Sequence, residues 1–393
     1  MRNSKKWVLC IGSSFSAIPI YFILKKYGYN VAVCGSTKSD PCHQYADKSF
    51  YIDYSKKEDL LNLVENEDFE YFVPTCNDYS YIAAAYVAEK KGYPGFDSTE
   101  IVTLLHTKNK FRQYTEEFDI AAPKSFRLNA INELETLNLN YPLIVKPIDI
   151  FSGRGISKIY EKNKLLPAIQ FAFSESNSES VVIEEFKDGT LHSHSAFVKN
   201  GNIVTDFFVD EYCTVYPYQV NCSNYPSKIK PDIKKQVQEN IEKIIKTLDL
   251  TDGLLHTQFI YDENTKNIWV IECMRRAPGD LYGKLIEYAT GFDYFDAYVR
   301  PFIGKEFVSS YMANEEKFYG RHTISVPESS CYFSYINNIP GKYMETVMLK
   351  NSGMVVEPAP YDKLAIVFSE FDDIDTLFNV TPRMDKYIIV KSI

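Results

Sequence analysis

The sequence predicts an α/β protein of several domains, and three stretches carry that expectation. Trp7 to Cys34 alternates an apolar run, a turn, a helical pattern and a second apolar run, which is a βαβ opening. Tyr141 to Ile156, YPLIVKPIDIFSGRGI, is an apolar strand ending at Lys146 and followed by a turn-rich loop. Leu254 to Ile260 and Trp269 to Cys273 are two further strands, joined by a polar turn near Asp262 to Asn267. A chain of 393 residues, 45% hydrophobic and 15% aromatic, has room for roughly two to four domains with sizeable cores.

In chain order, Trp7 to Ile11 reads as a strand, Gly12-Ser-Ser as a turn, Ala17 to Lys26 as a helix and Tyr29 to Cys34 as the second strand. The turn, GSSFSA, lacks a full GxGxxG, so a dinucleotide-dependent oxidoreductase built on this unit has little support. Phe69 to Pro74 is another strand, followed by a helix from Tyr81 to Lys91 that Gly92 and Pro94 end. One helix is predicted over Leu104 to Phe118 and a strand over Ser125 to Leu128. Beyond the Lys146 loop come a helix from Lys164 to Phe173 and the strand VVIEEF, Val181 to Phe186, whose adjacent glutamates must point to opposite faces. Strands at Ser195 to Lys199 and Ile203 to Val209 flank an Asn200-Gly201 hairpin turn, and Pro231 to Leu248 is a long helix. After residue 311 short strands such as Leu364 to Phe368 and Tyr387 to Val390 alternate with acidic turns.

Composition excludes several classes. With 43 basic against 52 acidic residues the net charge is −9, and no basic patch or tail suits a nucleic-acid partner. Eight cysteines form no CxxC pair and no Cys/His cluster at metal spacing, as expected of reduced thiols in a cytoplasmic protein. No apolar run approaches the roughly eighteen residues of a membrane span, and none at the start resembles a signal core, so neither membrane nor export is expected.

The chemistry lies in a few side chains. Glycine lets backbone N–H groups approach anionic oxygens, and lysine and arginine add charge-assisted hydrogen bonds, so Lys146 with Ser152, Gly153, Arg154 and Gly155 reads as a polyphosphate cradle or, taken alone, as an ordinary glycine turn. Gln258 and Glu272 sit on the two strands of the hairpin where they could converge on a magnesium ion, or simply form a cross-strand polar pair. Asp78 follows a first-domain strand, where crevices bind ligands, and could hold a substrate ammonium. His256 shares a face with Gln258 and reads as a buried structural histidine, and no G-x-S-x-G elbow or Cys/His pair offers a nucleophile.

Lys108 with Arg112, Lys146 with its glycine loop, Glu184-Glu185-Phe186, and Glu272 ahead of Arg276-Ala-Pro-Gly-Asp together resemble the ATP-grasp superfamily over roughly residues 1 to 310. Their order is similar to the branch of carbamoyl-phosphate-synthase-like, biotin-carboxylase-like and L-amino-acid ligases. The resemblance implies an N-terminal Rossmann-like domain (1–100), a linker helix and lid (101–186), a central α+β subdomain (187–310) and a C-terminal subdomain (311–393). It implies that Lys108 and Lys146 hold ATP phosphates, that Ser152, Gly153 and Gly155 close over them, and that Arg154 reaches the γ-phosphate. Glu184 would accept from the adenine amino group, with Glu185, Phe186 and Lys187 forming the hinge around the purine. Arg276 would bind the substrate carboxylate and steady its oxyanions, with Asp78 and Gly279 beside it. Glu272 and Gln258 would hold Mg2+.

Three positions depart from the family pattern. Leu191 stands where a ribose-binding glutamate is usual, Gln258 where a metal-binding glutamate is usual, and Met274 where an asparagine is common. Only Glu272 remains an anionic ligand, so phosphate oxygens must supply more of the metal shell. The implied activity is an ATP-dependent carboxylate–amine ligase that forms an amide or peptide bond through an acyl phosphate and releases ADP and phosphate. A bicarbonate-using carboxylase and a non-catalytic ATP sensor are the alternatives. The expected partners are small amino-acid-like carboxylates and amines, and a homodimer is compatible with the resemblance.

Overall fold

A computed structural model describes residues 6–148, 155–176, 180–307 and 317–392. The N-terminal layer contains β1 (Trp7–Ile11), α1 (Ile18–Lys26), β2 (Asn30–Cys34), β3 (Lys48–Phe50), α2 (Lys57–Asn66) and β4 (Tyr71–Pro74). Its four strands are parallel in the order β3-β2-β1-β4. Period-two alternation sends Val8 and Cys10 into one core and Leu9 and Ile11 into another, which is why the strand is apolar at every position. Strand order reverses between β1 and β4, so their carboxyl ends open a crevice beneath Gly12 and Asp78.

Three helices lead away from that crevice. Asn77 caps α3 (Asp78–Lys91) by accepting from the N–H groups of Tyr79 and Ser80 at 2.9 and 3.3 Å. The sequence reads one helix over 104–118, but the chain forms α4 (Thr99–His106) and α5 (Lys108–Glu117), separated by Thr107 in an extended conformation. His106 explains the break: its buried ring is hydrogen-bonded to Asp78 and to the backbone at Arg275, contacts that no amphipathic pattern encodes. The interruption places Lys108 at the start of a new helix, facing the cleft.

The lid is a small antiparallel sheet of β5 (Ser125–Leu128), β6 (Leu143–Pro147), β7 (Ser157–Ile159) and β8 (Val181–Glu185), in the order β5-β8-β6-β7. It packs on α6 (Leu165–Glu175) through Leu143, Val145, Ile169 and Ile183.

The central layer begins with β9 (Thr190–Lys199), β10 (Asn202–Tyr212), β11 (Cys222–Tyr225), α7 (Pro231–Thr247), β12 (Gly253–Tyr261), β13 (Ile268–Met274), α8 (Tyr282–Thr290) and α9 (Tyr294–Val299). The β9–β10 turn is the expected Asn200-Gly201, with φ of 51° and 71°, the left-handed pair that a two-residue hairpin needs. The C-terminal stretch supplies β14 (Phe318–Ile324), β15 (Ser330–Asn337), β16 (Lys342–Met348), β17 (Val355–Val356), β18 (Ala365–Phe371), α10 (Ile374–Val380) and β19 (Ile388–Ser392). Strands from both stretches form one eight-stranded sheet, β13-β12-β9-β10-β11-β14-β18-β16, while β17-β15-β19 make a separate small sheet. One face of the large sheet buries Ala196, Val198, Phe208 and Leu255 under Val237, Ile241 and Ile245 of α7. The other packs Phe197, Phe207, Val209 and Leu254 against α8 and α9, and this same core reaches the N-terminal layer through Val8 and Val31.

Candidate active site

A cleft of about 430 Å³, counted out to its open mouth, lies where the three layers meet. Lys108, Lys146, Glu272 and Met274 line it together with Asp78 and His106. Strand β6 delivers Lys146, whose ammonium lies 2.5 Å from Glu184 on the adjacent strand β8. The other oxygen of Glu184 accepts from Arg112 Nε at 3.0 Å, and the remaining Arg112 nitrogens donate to the carbonyls of Val270 and Ile271 at 3.3 and 2.6 Å. Although burial alone would raise the Glu184 carboxyl, the two cations hold its pKa below the ordinary value. With one oxygen on each cation, the carboxylate steadies Lys146 in this arrangement. Lys108 Nζ donates to the Ile148 carbonyl at 3.4 Å. Desolvation, reinforced by the neighbouring Lys146 charge, lowers its pKa to about 8.

Arg276 is held by Asp78, one of the cleft's lining residues. Its Nη2 lies 2.6 Å from Asp78 Oδ2, while Asp78 Oδ1 is 2.9 Å from His106 Nδ1. The backbone N–H of Arg275 donates to His106 Nε2 at 3.2 Å. That nitrogen must therefore be the acceptor, so the proton of the neutral ring sits on Nδ1 and is donated to Asp78. Arg276 and His106 together hold the Asp78 carboxyl well below the usual carboxylate range, and Asp78 in turn pushes Arg276 further up. Asp78, expected to hold a substrate ammonium, has one oxygen on Arg276 and the other on His106, and it orients the guanidinium. Arg276 Nε is buried without a hydrogen-bond partner.

Arg275, its neighbour in sequence, points elsewhere. It is 2% exposed, pairs with Asp97 at 2.7 Å, and donates to the carbonyls of Leu254 and Thr251 at 2.8 and 2.7 Å. Successive residues after a strand face opposite ways, so Arg275 is locked into the interior while Arg276 pairs with Asp78, which lines the cleft.

The hairpin pairing expected for the metal is present: Gln258 lies directly opposite Glu272, beside a β-bulge. The carboxamide, however, is turned toward a third residue, with Gln258 Nε2 donating to Glu211 Oε2 on β10 at 2.5 Å. Burial, with Asp280 nearby, pushes the Glu211 carboxyl up to about 7. Asp280 is itself paired at 2.8 Å with Arg321, a fully buried arginine of β14 that also donates to Ser223 at 2.7 Å. Among the described residues no group of three or more His, Cys, Asp or Glu side chains is placed to hold a metal ion. Glu272 and the Gln258 oxygen suit a cation that brings most of its own oxygens, as a nucleotide-bound Mg2+ does.

The other expected residues are distributed as follows. Glu185 pairs with Lys187 at 2.7 Å, and the Lys187 ammonium lies 5.2 Å from the Trp269 ring centre. The Phe186 ring is covered by Lys158, 3.4 Å from its centre. Gly155 has φ of 72°, and a Cβ there would come within 2.5 Å of Pro147. Gly279 lies against the Cys76 carbonyl, 3.1 Å from where its Cβ would be. Ser152, Gly153 and Arg154 lie outside the described residues. Sequence reasoning missed His106, Glu211, Asp280 and Arg321. His256 is structural as read, accepting or donating to Ser195 Oγ at 2.7 Å, with burial lowering its pKa to about 3.

A family model described as the D-ala D-ala ligase C-terminus matches residues 115–280. Formate-dependent phosphoribosylglycinamide formyltransferase of Prochlorococcus marinus is 25% identical over 250 residues, 62% of this chain and 64% of that protein. Carbamoyl phosphate synthase large chain of Clostridium botulinum is 22% identical over 301 residues, 70% of this chain but 27% of its own. The chain thus spans less than two thirds of these relatives. Among solved structures, an L-amino acid ligase from Bacillus licheniformis superimposes with a TM-score of 0.82 at 14% identity, covering 99% of both chains. Phosphoribosylglycinamide synthetase from Anaerococcus prevotii gives 0.78 at 18% identity over 99% of this chain and 100% of that one. The biotin carboxylase domain of Hydrogenobacter thermophilus 2-oxoglutarate carboxylase, a dimer in complex with MgADP, ADP and bicarbonate, gives 0.77 at 16%, covering 98% and 91%. Matched along nearly its whole length by these structures and by a ligase family model over residues 115–280, the chain has the ATP-grasp fold.

Proposed function

We propose that this protein is an ATP-dependent ligase that joins a small carboxylate to an amine through an acyl phosphate, releasing ADP and phosphate. The observation that carries the reading is the convergence of two lysines, Lys108 and Lys146, with Glu272 on one cleft that Asp78, the partner of Arg276, also lines. Two ammonium groups lining one cleft neutralise polyphosphate charge, and burial together with the Lys146 charge leaves Lys108 to gain from an anionic ligand. Arg276, fixed by Asp78, offers a guanidinium to the substrate carboxylate. It keeps that oxygen in line with the transferable phosphate and later stabilises the negative oxygens of the tetrahedral species as the amine attacks. Glu272 and Gln258 would hold Mg2+, which neutralises the β- and γ-phosphate oxygens when bound. No protein nucleophile is needed, since the carboxylate attacks the phosphorus and the amine displaces phosphate.

Phosphate release measured across a panel of carboxylates and amines tests this reading. A pair that stimulates ADP and phosphate formation, lost in Lys146→Ala, supports it. No stimulation by any pair, with Lys146→Ala indistinguishable from the native protein, would overturn it. Stimulation by bicarbonate without an organic carboxylate would move the activity to a carboxylase. Gln258 and Met274, which thin the metal shell, favour a second reading, an ATP sensor without turnover. Calorimetry with and without magnesium separates the two, because tight metal-independent binding with no phosphate release belongs to a sensor.

A further inference from the structure

We infer that Glu211 is a positioning residue for the metal shell, turning the Gln258 carboxamide so that its oxygen, and not its nitrogen, faces the cation carried by the nucleotide. The inference rests on the ligase reading of the cleft and concerns a residue outside the family motifs. Gln258 on β12 stands opposite Glu272 on β13 and opposite Ser193 on β9, so all three share one face of the sheet. Glu211, on β10 one strand beyond, reaches past the small Ser193 side chain to accept from Gln258 Nε2 at 2.5 Å.

The orientation follows from donor and acceptor chemistry. Gln258 offers its NH2 to the Glu211 carboxyl oxygen at 2.5 Å, and its Oε1 therefore points the other way. Turning the amide over would give up that hydrogen bond at a carboxyl group only 5% exposed, where water cannot readily replace it. The same contact explains why position 258 carries an amide. A glutamate there would put two carboxylates 2.5 Å apart, and like charges at that distance cannot both remain ionised. Positions 211 and 258 therefore hold one carboxylate and one carboxamide between them. Which position holds which decides whether the cation meets a full charge or a dipole.

Mn2+ is the probe, its binding followed by the electron paramagnetic resonance of the free ion, alone and as Mn2+·ADP. In Glu211→Ala the amide is free to turn, and Mn2+·ADP binding should weaken about tenfold, the lower end for losing an outer-shell partner. ADP without metal should bind within about twofold of the native protein, a split that a general loss of structure would not produce. The exchange variant Glu211→Gln with Gln258→Glu keeps both volumes and restores the hydrogen bond with its polarity reversed. It should bind Mn2+ alone at least about tenfold more tightly than the native protein, because a carboxylate now faces the cation. Equal weakening of ADP and Mn2+·ADP in Glu211→Ala, or an exchange variant whose Mn2+ binding stays within about twofold of native, would overturn the inference. If Glu211→Ala does not fold, the exchange variant decides alone. Failure of the native protein to bind ADP would sink the ligase reading, while the metal-alone arm would still decide the role of Glu211.

Discussion

Lys108 and Lys146 carry the same charge but hold it differently. Lys146 is 2.5 Å from Glu184, whereas Lys108 has been pushed down to about 8 by desolvation and by Lys146 itself. Its ammonium is lost as pH rises through that value, and a bound polyphosphate restores the charged form and raises the pKa again. Nucleotide affinity should therefore be flat below about pH 7 and fall by up to about tenfold per unit above pH 8, with proton uptake on binding. Calorimetry at several pH values in buffers of different ionisation enthalpy measures both, and Lys108→Arg should flatten the profile. Lys146→Ala removes a charged hydrogen-bond donor worth about 1.5 to 3 kcal/mol, so nucleotide affinity should drop roughly tenfold to a hundredfold at neutral pH. At this scale the sequence announced the lysines, Glu272 and Arg276, because they sit in ordered motifs. Their supports were not legible: His106 meets a backbone N–H 169 positions away, and Glu211 meets a side chain 47 positions away. Such contacts follow from which strands become neighbours, which no local pattern states.

Elements are where the two adjacent arginines part company. Arg275 belongs to the join between β13 and the segment before α4, through Asp97, and both side chains are buried. Arg275→Met should leave Asp97 as an unpaired buried charge and cost about 3 to 5 kcal/mol, read as a lower melting temperature in calorimetry. Arg276→Lys keeps a positive charge beside Asp78 and should melt close to the native protein, yet lose about a hundredfold in phosphate release, since an ammonium cannot present the guanidinium fork to an oxyanion. Where periodicity named an element it did so because that element buries a regular face, as α7 does with Ile233, Val237, Ile241 and Ile244, but α2, α8 to α10, β3, β7, β11 and β14 to β17 were not read from it. It failed at Thr107, where one helix was expected, because the break is made by a tertiary hydrogen bond at His106 and not by glycine or proline.

Across the whole molecule, the C-terminal residues are not an appendage. Strands β14, β18 and β16 make up three of the eight strands of the central sheet, and the Arg321–Asp280 pair ties β14 to the loop that follows β13. A chain ending at Phe307 would leave β11 as a bare edge and Asp280 without its guanidinium partner. That truncated chain should be rapidly digested in limited proteolysis and lack a cooperative thermal transition. The acidic, turn-rich C-terminal sequence gave little warning of this, since pairing across a hundred positions, as between Cys222 and His322, leaves no trace in local composition. Among the described residues no helix is long and apolar enough to cross a membrane.

The continuous sheet has a further consequence for how such a protein can diversify. From β13, which carries Glu272, to β14, which carries Arg321, there are five strand-to-strand steps, or about 24 Å at the usual spacing of roughly 4.8 Å. That span is set by backbone hydrogen bonds, as on a ruler, and owes nothing to the loops at its rim. The β10–β11 loop and the segment around Pro360, which meet through Gln219, can therefore change in length and side chains without altering the separation between the two ends of the site. Selection could therefore remodel that rim while β13 and β14 stay in register.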